Sequence, residues 1–188
     1  MLEEILIAGF GGQGIMLMGQ LLAYGGIYAG LEVTFFPAYG PEMRGGTANC
    51  TVVISDRRIG SPVRSNFTAL VAMNPASLAR FTDQVKSDGL IAYNQSLIAS
   101  GPDRGDVTVL EIPANRLAAE LGNPQVANMV AIGGLAAALP RISPEALVRG
   151  LTRVLPPHRH PLIPINTQAI RLGFETATAS TAVKPSTN

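Results

Sequence analysis

Residues 9–14, with the sequence GFGGQG, separate two apolar segments of different length. The short run at residues 4–8 (EILIA) predicts a buried strand, and the uncharged residues 15–29 predict a helix that is buried on most sides. This order is the context of the G-x-G-x-x-G motif, in which glycines let backbone N–H groups approach an anion at a helix N-terminus. The candidate cofactor-binding residues are therefore Gly9, Gly11, Gly12, Gln13 and Gly14. The alternative is a turn that only packs the strand closely against the helix.

The rest of the chain alternates between strand-like and helix-like segments. Strands are predicted at residues 31–36, 47–55, 69–73, 90–93 and 107–111, and helices at residues 75–86, 113–121, 126–139, 144 onwards and 166–174. This alternation favours the α/β class, as a Rossmann-like three-layer sandwich with a mostly parallel sheet. We expect a single domain over residues 1–175. Residues 176–188 carry no aliphatic pattern and are predicted to form a disordered tail.

A long loop, residues 37–46 (PAYGPEMRGG), follows the second predicted strand. In a parallel sheet it would leave from the carboxyl edge, beside the glycine-rich turn, where ligands and active-site loops gather. Arg44 could hold a phosphate or carboxylate bidentately, or could pair with Glu42. The candidate contact residues in the loop are Glu42, Arg44, Gly45 and Gly46. The alternative is a surface ion pair that only shapes the loop.

The second strand argues against a dinucleotide site of the usual kind. A site of that kind for NAD has an acidic residue at the carboxyl end of that strand, about 20 residues after the glycines, which hydrogen-bonds the ribose. Here the strand ends in Phe35, Phe36 and Pro37, and Glu32 stands at its beginning. No G-x-x-x-x-G-K-[ST] sequence is present, so a P-loop ATPase is excluded. A stand-alone Rossmann-type protein that binds a nucleotide or flavin stays open as the alternative function.

The charge content indicates which partners to expect. Charged residues make up 14% of the 188-residue chain, against about 25% in ordinary soluble domains. Interface cores are poor in charge, so this composition favours a subunit whose surface is covered by other chains. The net charge of +1 provides no basic field for nucleic acid, and glycines interrupt the longest apolar run. We expect a cytoplasmic protein with neither nucleic acid nor membrane as a partner.

Few residues of the chain are suited to hold a metal. Cys50 is the single cysteine, so cysteine alone can build neither a disulfide nor an iron–sulfur site within the chain. His158 and His160 stand between prolines without an acidic residue nearby, whereas a zinc site needs three or four ligands. We therefore predict no metal site.

Several motifs in a fixed order resemble the gamma subunit of 2-oxoacid:ferredoxin oxidoreductases. They are residues 9–14 (GFGGQG), 39–46 (YGPEMRGG), 49–53 (NCTVV), 128–133 (NMVAIG) and 166–175 (NTQAIRLGFE). The resemblance extends over about residues 1–175. The sequence PEMR at residues 41–44 resembles the 2-oxoglutarate type most closely, while pyruvate, branched-chain 2-oxoacid and indolepyruvate enzymes carry similar subunits.

The resemblance implies a subunit that is inactive alone. The complex would convert a 2-oxoacid and coenzyme A into acyl-CoA and carbon dioxide and pass electrons to ferredoxin. Thiamine diphosphate, Mg²⁺ and iron–sulfur clusters would lie on alpha, beta and, in some complexes, ferredoxin-like delta subunits. Asp88-Gly89 with Asn115 imitates a thiamine–magnesium motif, but the motif's first glycine is Ser87 here and Asp88 falls at the amino edge of the sheet. No residue is assigned a catalytic role from the sequence.

Overall fold

A computed structural model of the chain describes residues 1–38 and 47–183. Its strands are β1 (Leu2–Phe10), β2 (Glu32–Ala38), β3 (Thr47–Ser55), β4 (Phe67–Ala72), β5 (Val85–Asn94) and β6 (Thr108–Ile112). Its α-helices are α1 (Ile15–Tyr28), α2 (Pro75–Phe81), α3 (Ala114–Glu120), α4 (Ala127–Ala138), α5 (Pro144–Val154) and α6 (Ile163–Val183). Three 3-10 helices span Thr82–Gln84, Pro124–Val126 and Pro157–Leu162.

The strands form one mixed sheet in the order β2-β3-β1-β4-β5-β6. Strands β1, β4, β5 and β6 pair in parallel, whereas β3 is antiparallel to both of its neighbours, β1 and β2. With helices on both faces, this architecture confirms the predicted α/β fold. The sequence did not predict the reversed strand β3 between β1 and β2. The reversal follows because no helix among the described residues joins β2 to β3, and antiparallel neighbours need no crossover helix.

Small residues set how closely the helices approach the sheet and one another. A Cβ atom on Gly19 of α1 would lie 2.5 Å from the Cys50 sulfur on β3. Where α4 crosses α6, Cβ atoms on Gly133 and Gly173 would lie 2.1 and 2.0 Å from backbone carbonyl oxygens of the other helix. The close approach leaves α4 buried on most sides. A separate, smaller core lies under α2 on the other face of the sheet.

Helix α6 corrects the predicted end of the ordered chain. The sequence predicted a disordered tail from residue 176, but α6 continues to Val183. Ala177 is 1% exposed, and the hydroxyls of Thr176 and Thr178 donate to the carbonyls of Leu172 and Phe174 one turn earlier. The buried residue here is an alanine rather than a larger aliphatic residue, so the hydropathy pattern did not indicate a packed helix. Residues 184–188 lie outside the described residues.

Across residues 1–38 and 47–183, none of the helices combines the length and the apolar content needed to cross a bilayer.

Candidate functional site at the glycine-rich turn

The glycine-rich turn adopts a backbone that only glycine takes without strain. Gly12 has φ 94° and Gly14 has φ 76°, both in the left-handed region. Gly14 is the N-cap of α1, and within residues 1–38 and 47–183 no side-chain hydrogen bond caps this helix. The N–H groups of the first turn of α1 therefore have no partner within the helix, and the helix dipole favours negative charge there.

Gln13 holds the turn to the neighbouring strand rather than reaching outwards. Its Oε1 atom accepts from the Phe10 backbone N–H at 2.7 Å and from the Asn74 side-chain amide at 3.0 Å. Its Nε2 atom donates to the Met73 carbonyl at 3.1 Å. A Cβ atom on Gly9 would lie 2.7 Å from the Gln13 Oε1 atom, so Gly9 leaves room for this amide. Gln13 and Gly9 therefore shape the turn.

Asn128 completes the turn from α4, about 115 residues further along the chain. Its Nδ2 atom would lie 2.3 Å from a Cβ atom on Gly14, and its Oδ1 atom accepts from the Met129 backbone N–H. The sequence contained Asn128 only as part of a family motif and did not predict it as a site residue. Its contact with Gly14 joins residues far apart in the sequence, so only the three-dimensional fold reveals it.

A cavity of about 300 Å³ opens beside the turn. It is lined by Gly12, Gln13, Gly14, Leu17, Asn123, Gln125, Val126, Asn128, Leu155, Arg159, Leu162 and Asn166. These residues include five side-chain amides and one exposed cation, Arg159, but no carboxylate, cysteine or histidine. Amides and a guanidinium donate hydrogen bonds to a carboxylate or phosphate without changing charge near neutral pH. The cavity is therefore suited to hold a polar or anionic group, and its lining offers no general acid or base.

The surrounding carboxyl edge of the sheet combines buried amides with an apolar rim. Asn74 follows β4, and Asn94 ends β5; both are buried, and the Asn94 amide donates to Asn115 at 2.7 Å. Three large apolar side chains are exposed around this edge: Phe10, Leu97 and Leu162. A surface with an uncharged centre and exposed aromatic and aliphatic groups resembles the core of a protein–protein interface.

The long loop after β2 is the part of the predicted site that the structure does not describe. Glu42, Arg44, Gly45 and Gly46 lie outside the described residues, so their contacts stay a prediction. The flanking strands pair so that Thr47 lies opposite Phe10 and Ala38 lies opposite Asn49. Both ends of the loop are thus at the edge that carries the glycine-rich turn, as the sequence predicted.

The structure places Glu32 at the other end of β2. It pairs with Ser55, which in turn lies opposite Leu2 at the start of β1. The acidic residue is therefore a whole strand length away from the glycine-rich turn. Asp88 lies near the start of β5, also at the amino edge. Asn115 lies beside the carboxyl edge, so the structure separates the two halves of the imitated thiamine–magnesium motif.

Neither the cysteine nor the histidines belong to the cavity. Cys50 is fully buried, and burial raises the pKa of its thiol to about 12, so the thiol stays protonated. A ring nitrogen of His160 lies 3.0 Å from the Leu155 carbonyl oxygen, and His158 is exposed. Within the part of the chain that the structure describes, no three His, Cys, Asp or Glu side chains gather to hold a metal ion.

Comparison with known families and structures gives consistent matches. The family model for pyruvate ferredoxin/flavodoxin oxidoreductase matches residues 4–176. In the solved structures, the gamma subunit of a keto/oxoacid ferredoxin oxidoreductase from Geobacter sulfurreducens superimposes with a TM-score of 0.82 at 29% identity. The superposition covers 95% of this chain and 98% of that one.

Two archaeal relatives differ in how they match. The 2-oxoglutarate synthase subunit KorC of Methanothermobacter marburgensis is 35% identical over 164 residues, which are 84% of this chain and 88% of KorC. The ketoisovalerate oxidoreductase subunit VorA of Methanothermobacter thermautotrophicus is 43% identical over 131 residues, which are 69% of this chain and 27% of VorA. The chain therefore spans about a quarter of VorA but nearly the whole of KorC.

Proposed function

Because the chain belongs to the pyruvate ferredoxin/flavodoxin oxidoreductase family, we propose that it is the gamma-type subunit of a 2-oxoacid:ferredoxin oxidoreductase. The complex oxidises a 2-oxoacid in the presence of coenzyme A to acyl-CoA and carbon dioxide, and ferredoxin takes the electrons. The observation that carries the proposal is the match to KorC, because it covers 84% of this chain and 88% of KorC.

The proposed substrate is 2-oxoglutarate. The end-to-end match to KorC and the PEMR sequence at residues 41–44 both favour it. The match to VorA is shorter but closer in identity, and it favours a branched-chain 2-oxoacid. The two substrates differ in charge at the end of the side chain, so a comparison of kcat/KM separates them.

The proposed task of this chain is to complete the catalytic assembly through its carboxyl edge. The uncapped N-terminus of α1 and Arg159 suit an anionic group, and the amides of Asn128 and Asn166 lie in the same cavity. Among the described residues that line this cavity, none carries a group that transfers protons near neutral pH. The chemistry is accordingly assigned to the alpha, beta and delta-type subunits, on which thiamine diphosphate with Mg²⁺ would supply the decarboxylation chemistry and iron–sulfur clusters the electron path.

The test is co-purification of the tagged chain from its native cells, with mass spectrometry and an assay of dye reduction that depends on a 2-oxoacid and coenzyme A. We expect subunits with thiamine motifs, and a higher kcat/KM for 2-oxoglutarate than for ketoisovalerate or pyruvate. A preference for ketoisovalerate would overturn the substrate and leave the subunit role intact. A chain that purifies alone and binds NAD, NADP or FAD in calorimetry would overturn both in favour of the stand-alone nucleotide- or flavin-binding protein.

A further inference from the structure

Strand β2 is the end strand of the sheet and is poorly covered on both faces. All seven of its residues are exposed or half-buried, whereas the neighbouring strand β3 is almost wholly buried from Ala48 to Ser55. Among the described residues, β2 pairs with β3 alone. An edge strand of this kind presents free backbone N–H and C=O groups that proteins normally cover or protect with charge.

A groove lies on each face of the sheet beside β2. The groove on the α1 face, about 450 Å³, is lined by Tyr24, Ile27, Val33, Phe35, Arg153 and neighbouring residues. The groove on the opposite face, about 220 Å³, begins at Phe36 and Ala38 of β2 and continues across β3 and β1 to Val63 and Phe67. Ile27, Phe36 and Val63 are 53%, 44% and 63% exposed, although each is a large apolar side chain. We call the two grooves, the strand between them, and the adjoining Tyr28 and Arg149 the β2 edge surface.

The α1 side of this surface is aromatic and positively charged. Tyr24 and Tyr28 are stacked with ring centroids 6.3 Å apart, and the Arg149 guanidinium lies 4.3 Å from the centroid of the Tyr28 ring. The Tyr28 side chain beside Arg153 raises the pKa of the Arg153 guanidinium. Within residues 1–38 and 47–183, neither Arg149 nor Arg153 forms an ion pair, and both are exposed. Arginine and tyrosine are among the residues most enriched at positions that dominate binding energy at interfaces.

We propose that the β2 edge surface docks an extended segment of a partner subunit, which adds to the sheet beside β2 and places acidic side chains against Arg149 and Arg153. Main-chain hydrogen bonds to an exposed strand supply affinity in this mode, and pockets for alternate side chains supply specificity. The identity of the partner as a subunit of the oxidoreductase complex rests on the proposed function. The extended, acidic character of the docked segment rests only on the β2 edge surface.

The geometry of β2 sets the pattern of the docked segment. Side chains of an added strand alternate between the two faces of the sheet. One set therefore faces Tyr24 and Arg153, and the other faces Phe36 and Val63. The segment should carry acidic residues in the first set and apolar residues in the second. Pro37 has no N–H to offer, so the added strand should pair with residues 32–36.

The test places the photo-crosslinking residue p-benzoylphenylalanine at Ile27 or at Phe36 in the tagged full-length chain, in its native cells. The control position is Leu97, which is also exposed but follows β5, on the far side of the sheet from β2. After irradiation and purification of the complex, mass spectrometry maps the cross-linked peptides. We expect positions 27 and 36 to label one alternating acidic and apolar segment of another subunit, and position 97 not to label it.

Charge reversal tests the role of the arginines. The double variant Arg149→Glu/Arg153→Glu should lower the yield of this cross-link about tenfold or more, because like charges then face each other in the interface. Arg171→Glu is the matched control, since Arg171 is exposed on α6 and does not line either groove. It should leave the yield unchanged. Circular dichroism of each variant verifies that the fold is retained.

The remaining outcomes overturn the inference. Two of them are cross-links to a second copy of this chain and cross-links to a segment without acidic residues. The other two are the absence of a cross-link from positions 27 and 36 in an intact complex, and a cross-link yield that is unchanged by charge reversal. Dye reduction measured on the same preparations keeps the two proposals apart. Full activity without the cross-link refutes the docking surface alone. The expected cross-link to a protein that is not an oxidoreductase subunit refutes the proposed function alone.

Discussion

Replacement of Gly14 by alanine tests whether the contact with Asn128 shapes the glycine-rich turn. The left-handed backbone at φ 76° costs an alanine about 1–2 kcal/mol. The new Cβ atom would also lie 2.3 Å from the Asn128 Nδ2 atom and 3.1 Å from its Cγ atom, and overpacking of this kind costs about 1–3 kcal/mol. Gly14→Ala should therefore lower the free energy of unfolding by about 2–5 kcal/mol.

Gly12→Ala is the matched control for backbone strain. Gly12 is also in the left-handed region, at φ 94°, but a Cβ atom there would meet no atom of the described residues within 4 Å. It should cost only about 1–2 kcal/mol. Gly12 and Gly14 lie in the same turn, so the difference between the two variants isolates the contact with Asn128.

A double-mutant cycle measures that contact directly. Asn128→Ala removes the Nδ2 and Cγ atoms and leaves its Cβ atom 3.5 Å from the position that a Cβ atom on residue 14 would occupy, which is ordinary van der Waals contact. The double variant should therefore be more stable than the sum of the single effects predicts, by about 1–3 kcal/mol. Urea unfolding of the full-length chain, followed by circular dichroism, provides the four values. Additivity of the two substitutions within about 0.5 kcal/mol would refute the contact.

Individual contacts support three further predictions. Gln13→Ala should cost about 1–3 kcal/mol in urea unfolding because it leaves the hydrogen-bonding groups around the turn without partners, whereas Gln125→Ala on the same cavity should change stability by less than about 0.5 kcal/mol. Cys50 should resist Ellman's reagent at pH 8 in the folded chain and react in guanidinium chloride, because burial raises its pKa to about 12; rapid labelling of the folded chain would contradict its placement. The hydrogen bond from Arg104 holds the pKa of Asp106 well below its usual value, so this carboxylate contributes stability that is present above its ordinary pKa of 3.8 and is lost as the pH falls further. Asp106→Asn should accordingly flatten the loss of stability between about pH 5 and about pH 2, measured from urea midpoints.

The sequence predicted correctly those helix and strand boundaries that depend on neighbouring residues. The helices predicted to begin at residues 75 and 144 do begin there, and the side chains of the preceding Asn74 and Ser143 accept from the backbone N–H groups of Ser77 and Ala146. The strand predicted at residues 47–55 coincides with β3. These features depend on neighbours within four residues, which a sequence pattern displays directly.

The start of β5 was predicted wrongly, because the strand was expected only from residue 90 and begins at Val85. Asp88 and Gly89 fall between the helix predicted at residues 75–86 and the strand predicted at residues 90–93, but they lie inside β5, and α2 ends at Phe81 rather than near Lys86. Asp88 has φ 62°, and the pairing of β4 with β5 shifts its register here. A Cβ atom on Gly89 would lie 2.7 Å from the Lys86 carbonyl oxygen. An irregular strand of this kind uses the same residues as a turn, so composition alone does not separate the two.

The site itself was predicted in part. The glycines and their place between β1 and α1 followed from the motif, but the role of Gln13 did not, because its partners Met73 and Asn74 are about 60 residues away. The direction of β3 also escaped prediction, since alternation of apolar residues identifies a strand without identifying its neighbours. Long-range pairing is information that a single sequence does not display.

The two proposals together account for the low charge of the chain through two adjacent surfaces. The carboxyl edge presents buried amides inside an apolar rim, and the β2 edge surface presents apolar grooves whose charges lie on one side. Ala38, the last residue of β2, lies where the two surfaces meet. A partner segment beside β2 would therefore end next to the edge that carries the glycine-rich turn, and Ala38 and Thr47, which flank the segment with Glu42 and Arg44, lie at that same edge.

If both proposals hold, Arg149→Glu/Arg153→Glu should weaken assembly of the complex and lower turnover in proportion, because neither arginine lines the glycine-rich cavity. If the Arg149→Glu/Arg153→Glu complex assembles fully but turns over slowly, the arginines do not act through assembly, and this prediction is wrong.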